Sequence, residues 1–124
     1  MIKKMTNAQI YALSNKLDSV LNSETRYMPA KIAYFIHKNK TKILEYFNII
    51  EQSRFGIIRH YGTLDEATGS YNVPNEVLAK ANKELEELLQ IEQDIDISMI
   101  KLDDLVDLDF TFEQMEALSF MIEE

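Results

Sequence analysis

Apolar positions along the chain recur with changing periods, and each period predicts an element. At Thr6 the tetrad TNAQ has capping-box spacing, a hydroxyl at the N-cap and Gln9 three residues on. Ile10, Leu13, Leu17 and Val20 or Leu21 follow at helical steps, which predicts an amphipathic helix ended by the polar tract NSET at 22–25. A second stripe runs Ile32, Ile36, Asn39, Ile43, Phe47, Ile50, Arg54, Ile57 and Tyr61, at steps of three and four. Pro29 suits its first turn and Gly62 its C′ position, so one helix is predicted over about 29–61. At ~1.5 Å per residue this is a rod of roughly 50 Å, whereas a compact domain of this length has a radius of gyration of about 14 Å. Such a rod either bends, with Gly56 its weakest point, or overhangs the domain and needs cover. The heptad-like steps assign that cover to self-association through Ile36, Asn39, Ile43, Phe47, Ile50 and Arg54.

Residues 63–75 gather Gly, Ser, Asn, Asp, Thr and Pro74 and read as a loop. A third helix follows, capped by Asn75, with Leu78, Ala81, Leu85 and Leu88 or Leu89 on one face. The period then changes to two. Ile91, Ile95 and Ile97 stand among Glu92, Asp94 and Asp96, and Val106, Leu108 and Phe110 alternate with Asp107 and Asp109. These predict two short strands paired like a hairpin across SMIKLDD. Thr111 and Gln114 form a second capping box, opening a last helix to the chain end with Met115, Leu118 and Ile122 inward. The expected fold is mainly α: four helices, one of them very long, with a minor two-stranded β element near 91–110. It forms a single domain over 1–124, with a basic helical half (1–62), a loop (63–75) and an acidic half (76–124).

Charge sharpens this division. The net charge of −8 hides ten Lys/Arg against four Asp/Glu in residues 1–62, a balance of +6, and three against seventeen in 63–124, a balance of −14. Opposite balances within one short domain predict that the halves lie against each other, or that one is offered to a partner. Lys31, Lys38 and Lys42 share one edge of the long helix, beside Phe35 and Tyr46, and Lys40 lies on the other. The aromatics adjoin the core stripe and do not interleave with the lysines, the pattern of a core helix with snorkelling margins, which argues against nucleic acid. No apolar run reaches the ~18 residues of a membrane span, and no apolar segment follows Lys3 and Lys4, so a cytoplasmic protein without a signal peptide is expected.

Candidate chemistry is sparse. The chain has no cysteine, which excludes disulfides, thiolate metal sites and a cysteine nucleophile. Asp94/Asp96 and Asp107/Asp109 would each share a strand face, but no EF-hand pattern or neighbouring histidine completes a metal site. His37 and His60 stand far apart on one helix, and no Gly-rich phosphate loop occurs. The expectation is no enzyme, no cofactor and no metal. Of the polar stripe residues, Asn39 and Arg54 suit the fixing of oligomer register. Arg54 has two other readings, an ion pair with the acidic half, or anion binding together with Arg59 and His60.

Three segments, MPAKIAYFIHKNKTKI, IDISMIKLDDL and FTFEQMEALSFMIEE, together resemble a family of short uncharacterised proteins of Gram-positive bacteriophages and prophages. Pro29, Lys31, Lys101, Leu102, Asp104, Leu105, Leu118, Phe120, Met121, Ile122, Glu123 and Glu124 carry the likeness, while Ala30 and Asp103 stand where that family tends to Val and Ser. The resemblance implies a phage protein in the host cytoplasm and brings no activity or functional residues. With the charge layout it leads to a non-catalytic interaction protein, self-associating through the long helix and binding and inhibiting a host protein, a defence factor being one candidate. Two alternatives are a virion or assembly accessory and an oligomeric sponge for small anions or nucleotides. The partner's identity, the number of copies, the pairing of the strands within or between chains, and presence in the virion stay open.

Overall fold

The computed structural model describes residues 1–21 and 27–123, except for the side chains of 19–21; the predicted break at 22–25 and the placement of Val20 and Leu21 lie outside the described residues. Chain order is β1 (Ile2–Thr6), α1 (Asn7–Leu21), α2 (Ala30–Tyr61), β2 (Thr63–Asp65), β3 (Ser70–Asn72), α3 (Asn75–Gln90), β4 (Glu92–Asp96) and β5 (Ile100–Lys101). Two 3₁₀ turns follow, then α4 (Phe112–Leu118), a further 3₁₀ turn and β6 (Ile122–Glu123). The fold is mainly α, as expected, with four α-helices among the described residues, and α2 runs 32 residues without a break at Gly56.

The two capping boxes explain where α1 and α4 begin. The Thr6 hydroxyl accepts the Gln9 amide while the Gln9 side chain accepts the Thr6 amide, and Thr111 and Gln114 repeat the exchange. The other helix starts depart from expectation. Pro29 is the N-cap of α2 and not part of its first turn, and Pro74, not Asn75, is the N-cap of α3. At the end of α2, Gly62 has φ −92°, so its value is not a left-handed turn. A Cβ there would stand 2.5 Å from the Ile58 carbonyl oxygen, which accepts the Gly62 amide. The segment read as a loop contains a hairpin, β2 on β3, closed by an Asx turn at Asp65 and by Gly69 at φ +74°.

The β element differs from the predicted pair. β4 lies where expected, but its antiparallel partner is the N-terminal β1, with Lys3 opposite Ile95 and Met5 opposite Gln93. Residues Val106–Leu108 form a 3₁₀ turn, and Asp109 follows at φ 54°, incompatible with a strand. The alternation of Asp107 and Asp109 masked a stronger signal: Leu102, Leu105 and Leu108 recur every third residue, the 3₁₀ period, and Leu105 is the buried one. The last helix also stops early. α4 ends at Leu118, and the chain turns through Ser119–Met121 into β6, which pairs in parallel with β5.

One core holds these parts together. Ile10 and Leu17 of α1, Ile32, Ile36, Ile43 and Ile50 of α2, Ile95, Ile97, Ile100, Leu105, Ala117, Leu118 and Met121 form a continuous buried cluster. Tyr11 of α1 packs on Phe47 of α2 at 4.9 Å, and Glu84 of α3 raises the Tyr61 hydroxyl above its ordinary range. Asn39 sits in the middle of the cluster, fully buried. Its amide donates to the Ser98 carbonyl at 2.8 Å and, at longer range, to Met121 Sδ, and its carbonyl accepts the Ser98 amide at 2.9 Å. The side chain thereby supplies the strand partner that the backbone between β4 and β5 lacks. Asn7 plays a similar part at the other end, its backbone amide bonding Ile91 and its side chain donating to the Leu88 carbonyl.

The oppositely charged halves do meet. The N-terminal ammonium pairs with Asp96 at 3.1 Å, Lys4 with Glu92 and Lys16 with Glu116, and Lys42 Nζ donates to the Asp96 carbonyl at 2.7 Å. The Asp96 carboxyl is held below its ordinary range, first by the hydrogen bond and charge of the N-terminal ammonium, then by Lys42 and Lys38.

Two outcomes follow. Asn39→Ala leaves both Ser98 backbone groups unpaired in the core and should cost about 2–4 kcal/mol in chemical denaturation; a loss under about 0.5 kcal/mol would contradict the clamp. Because the Asp96 pKa is depressed on folding, its stabilising contribution is present above the unfolded value, about 3.9, and disappears as pH falls through the folded value. The stability gap between the wild type and Asp96→Asn should therefore close on acidification below that range, and a gap independent of pH would refute the pairing.

Candidate interaction surface

The stripe expected to bind a second copy is already covered. Ile36, Asn39, Ile43 and Ile50 are buried by the chain's own α1, β4–β5 segment and C-terminal turns, and Phe47 is half-buried against Tyr11. These residues are therefore core, not seam, and the overhang that called for another copy does not arise. Asn39 fixes a register, but that of its own chain.

Arg54 belongs to neither of its expected arrangements with the rest of the chain. Its Nε and Nη2 donate to the two carboxylate oxygens of Glu51, three residues earlier on α2, at 2.9 and 3.2 Å. The pair holds Glu51 below and Arg54 above their ordinary ranges, the side-chain hydrogen bond between them being the leading cause for each. Half-exposed to water, it adds little stability. Arg54, Arg59 and His60 do not converge as an anion site. At ~100° per residue Arg59 and His60 project about 140° and 240° away from Arg54 around the helix, and His60 packs edge-on against Tyr61 at 4.7 Å.

No catalytic or metal constellation is assembled among the described residues. No three His, Asp or Glu side chains there approach closely enough to hold a cation. His37 and His60 are exposed on separate turns of α2. Asp94 and Asp96 share the outer face of β4, as their spacing predicted, opposite Lys4 and Ile2. Among the described residues no helix is long and apolar enough to cross a membrane.

What the structure does present is the segment from Leu102 to Glu113. Asp103, Asp104, Asp107, Asp109 and Glu113 all face solvent. None of the five has an ion-pair partner among the described residues. Between them stand Val106, 61% exposed, and Phe112, 82% exposed. Leu105 anchors the segment in the core, half-buried Leu108 and Phe110 flank it, and the Thr111 capping box fixes its end, so the acids and the two apolar side chains project from an ordered base. Exposure of a large aromatic this complete is not needed for packing, because Met115, Ala117, Leu118 and Met121 are among the side chains by which the C-terminal elements join the core. The acidic character of this segment was evident from its aspartates. Its apolar points were not, since Val106 read as one of the apolar residues of a strand and the Thr111–Gln114 capping box says nothing of where Phe112 points.

No protein-family model, no curated protein and no solved structure matches the chain.

Proposed function

We propose that the protein is a non-catalytic interaction module that docks a basic partner protein through the Leu102–Glu113 segment. The observation that carries this reading is the pairing of five carboxylates, none with an ion-pair partner among the described residues, with the exposed side chains of Val106 and Phe112 on a base pinned by Leu105. Acids alone would give fast, salt-screened encounter; an aromatic beside them supplies the apolar anchor that prolongs the bound state. The spread of the carboxylates, which do not converge on a point, suits a surface of lysines and arginines better than a single cation. With the resemblance to phage proteins, this makes the protein a phage product acting in the host cytoplasm by binding, and so inhibiting or redirecting, a host protein. Abundance in purified particles, measured by mass spectrometry, would instead favour a virion accessory.

The test is a comparison of two baits in a lysate of a Gram-positive bacterium. The wild type should retain a basic protein whose retention falls with salt. Asp103→Lys/Asp107→Lys/Phe112→Ala, with an unchanged circular dichroism melt because all three positions are exposed, should lose it roughly a hundredfold. Equal retention of the same protein by both baits would overturn the assignment.

A further inference from the structure

The solvent side of α2 carries an unexplained glycine. Gly56 lies inside a 32-residue helix, where glycine weakens helix formation, yet a Cβ there would meet nothing within 4 Å. Neither a turn nor a close neighbour in this chain requires it. Around Gly56 the exposed residues form a distinctive set. At ~100° per residue, Glu45, Asn48, Gly56 and Arg59 fall within about 40° of Gln52, with Ile49 and Phe55 about 60° to either side, and the core stripe lies opposite. Ile49 is 59% and Phe55 49% exposed. An open depression of about 570 Å³ flanks this face, lined by Asn48, Glu51, Gln52, Phe55, Arg59 and, from the neighbouring hairpin, Tyr71.

The set is symmetric about Gln52. Glu45 stands seven residues before it and Arg59 seven after; Ile49 stands three before and Phe55 three after; Asn48 stands four before and Gly56 four after. In an antiparallel crossing of two copies with Gln52 on the two-fold axis, a residue before Gln52 comes level with the one equally far after it, and residues on the same edge of the face meet. Glu45 faces Arg59 of the partner subunit across the middle of the face; on one edge Ile49 enters over Gly56 of the partner subunit, where the absent side chain allows close approach, and on the other Asn48 lies beside Phe55 of the partner subunit. The two Gln52 amides, each both donor and acceptor, meet on the axis. Within one chain Glu45 and Arg59 are separated by ~21 Å of helix, so their complementarity has no use there.

We infer that this face, Glu45 to Arg59 of α2, binds a second copy of the chain in an isologous antiparallel dimer. The occupant follows from charge: Glu45 and Arg59 are about 21 Å apart along one helix, and each finds its complement on the same face of an antiparallel second copy, which a generic apolar partner would not explain. This dimer leaves the buried stripe untouched and uses none of the Leu102–Glu113 surface, so its failure would not weaken the docking proposed there.

Sedimentation velocity across a dilution series tests it. The wild type should be a reversible dimer with Kd on the order of 10 µM, as suits a small interface. Gly56→Leu should melt no lower than the wild type, because the site is open and leucine favours helix, yet weaken the dimer at least about tenfold. Glu45→Arg and Arg59→Glu should each weaken it roughly tenfold, and the double exchange E45R/R59E should restore it. Rescue by the double exchange reads contact between subunits and nothing else. A wild type that stays monomeric up to about 1 mM, or a double exchange as weak as the singles, overturns the dimer.

Discussion

The structure depends on one constraint: a helix of 32 residues must hide its apolar stripe within a chain of 124. No single element is long enough to do so. α1 covers part of it through Ile10, Leu17 and the Tyr11–Phe47 contact, α3 packs toward its C-terminal end, and the rest falls to strand and turn segments around Ile95, Ile97, Ile100, Leu105, Leu118 and Met121. Irregular segments bring unpaired backbone groups into the core, and Asn39 removes that cost at the worst point by bonding both polar groups of Ser98. An asparagine that looks like a flaw in a helical stripe is therefore what permits non-helical cover. Charge assists at the periphery, where β1 and α1 place their cations against β4 and α4.

This arrangement separates two sides of α2 that a sequence wheel shows but does not rank. The inner side is occupied by the chain itself. The outer side is left with features that folding does not use, namely an open glycine, two half-exposed apolar residues and opposed charges at equal spacing. A second set of unused features lies on Leu102–Glu113. Both surfaces gain their definition from the same core, because Leu105 and the Ile43–Ile50 stripe fix the elements that carry them.

Helical content was legible in the sequence because period and caps agreed: Thr6 with Gln9 and Thr111 with Gln114 set starts that the structure reproduces, and the stripe from Ile32 to Tyr61 set the length of α2. Pairing was not legible. β1 is five residues whose neighbours in space lie some ninety positions away, and nothing in IKKMT distinguishes a strand from an unstructured start. The Val106–Phe110 segment failed for another reason, since aspartates at every second position imitate strand alternation while leucines at every third position mark a 3₁₀ path. The stripe was read correctly as apolar and wrongly as uncovered. Helix length alone cannot say what covers it, and the single chain proved to hold enough irregular apolar surface to do so.

Amide hydrogen exchange followed by mass spectrometry at high dilution measures that cover directly. If the chain itself buries the stripe, the amide of Ser98 and those of α2 from Ile36 to Ile50 exchange only by global unfolding, at rates that do not change on further dilution. Exchange in these segments that accelerates as the protein is diluted would mean that another molecule, and not the Asn39-clamped strand and turns, shields the long helix.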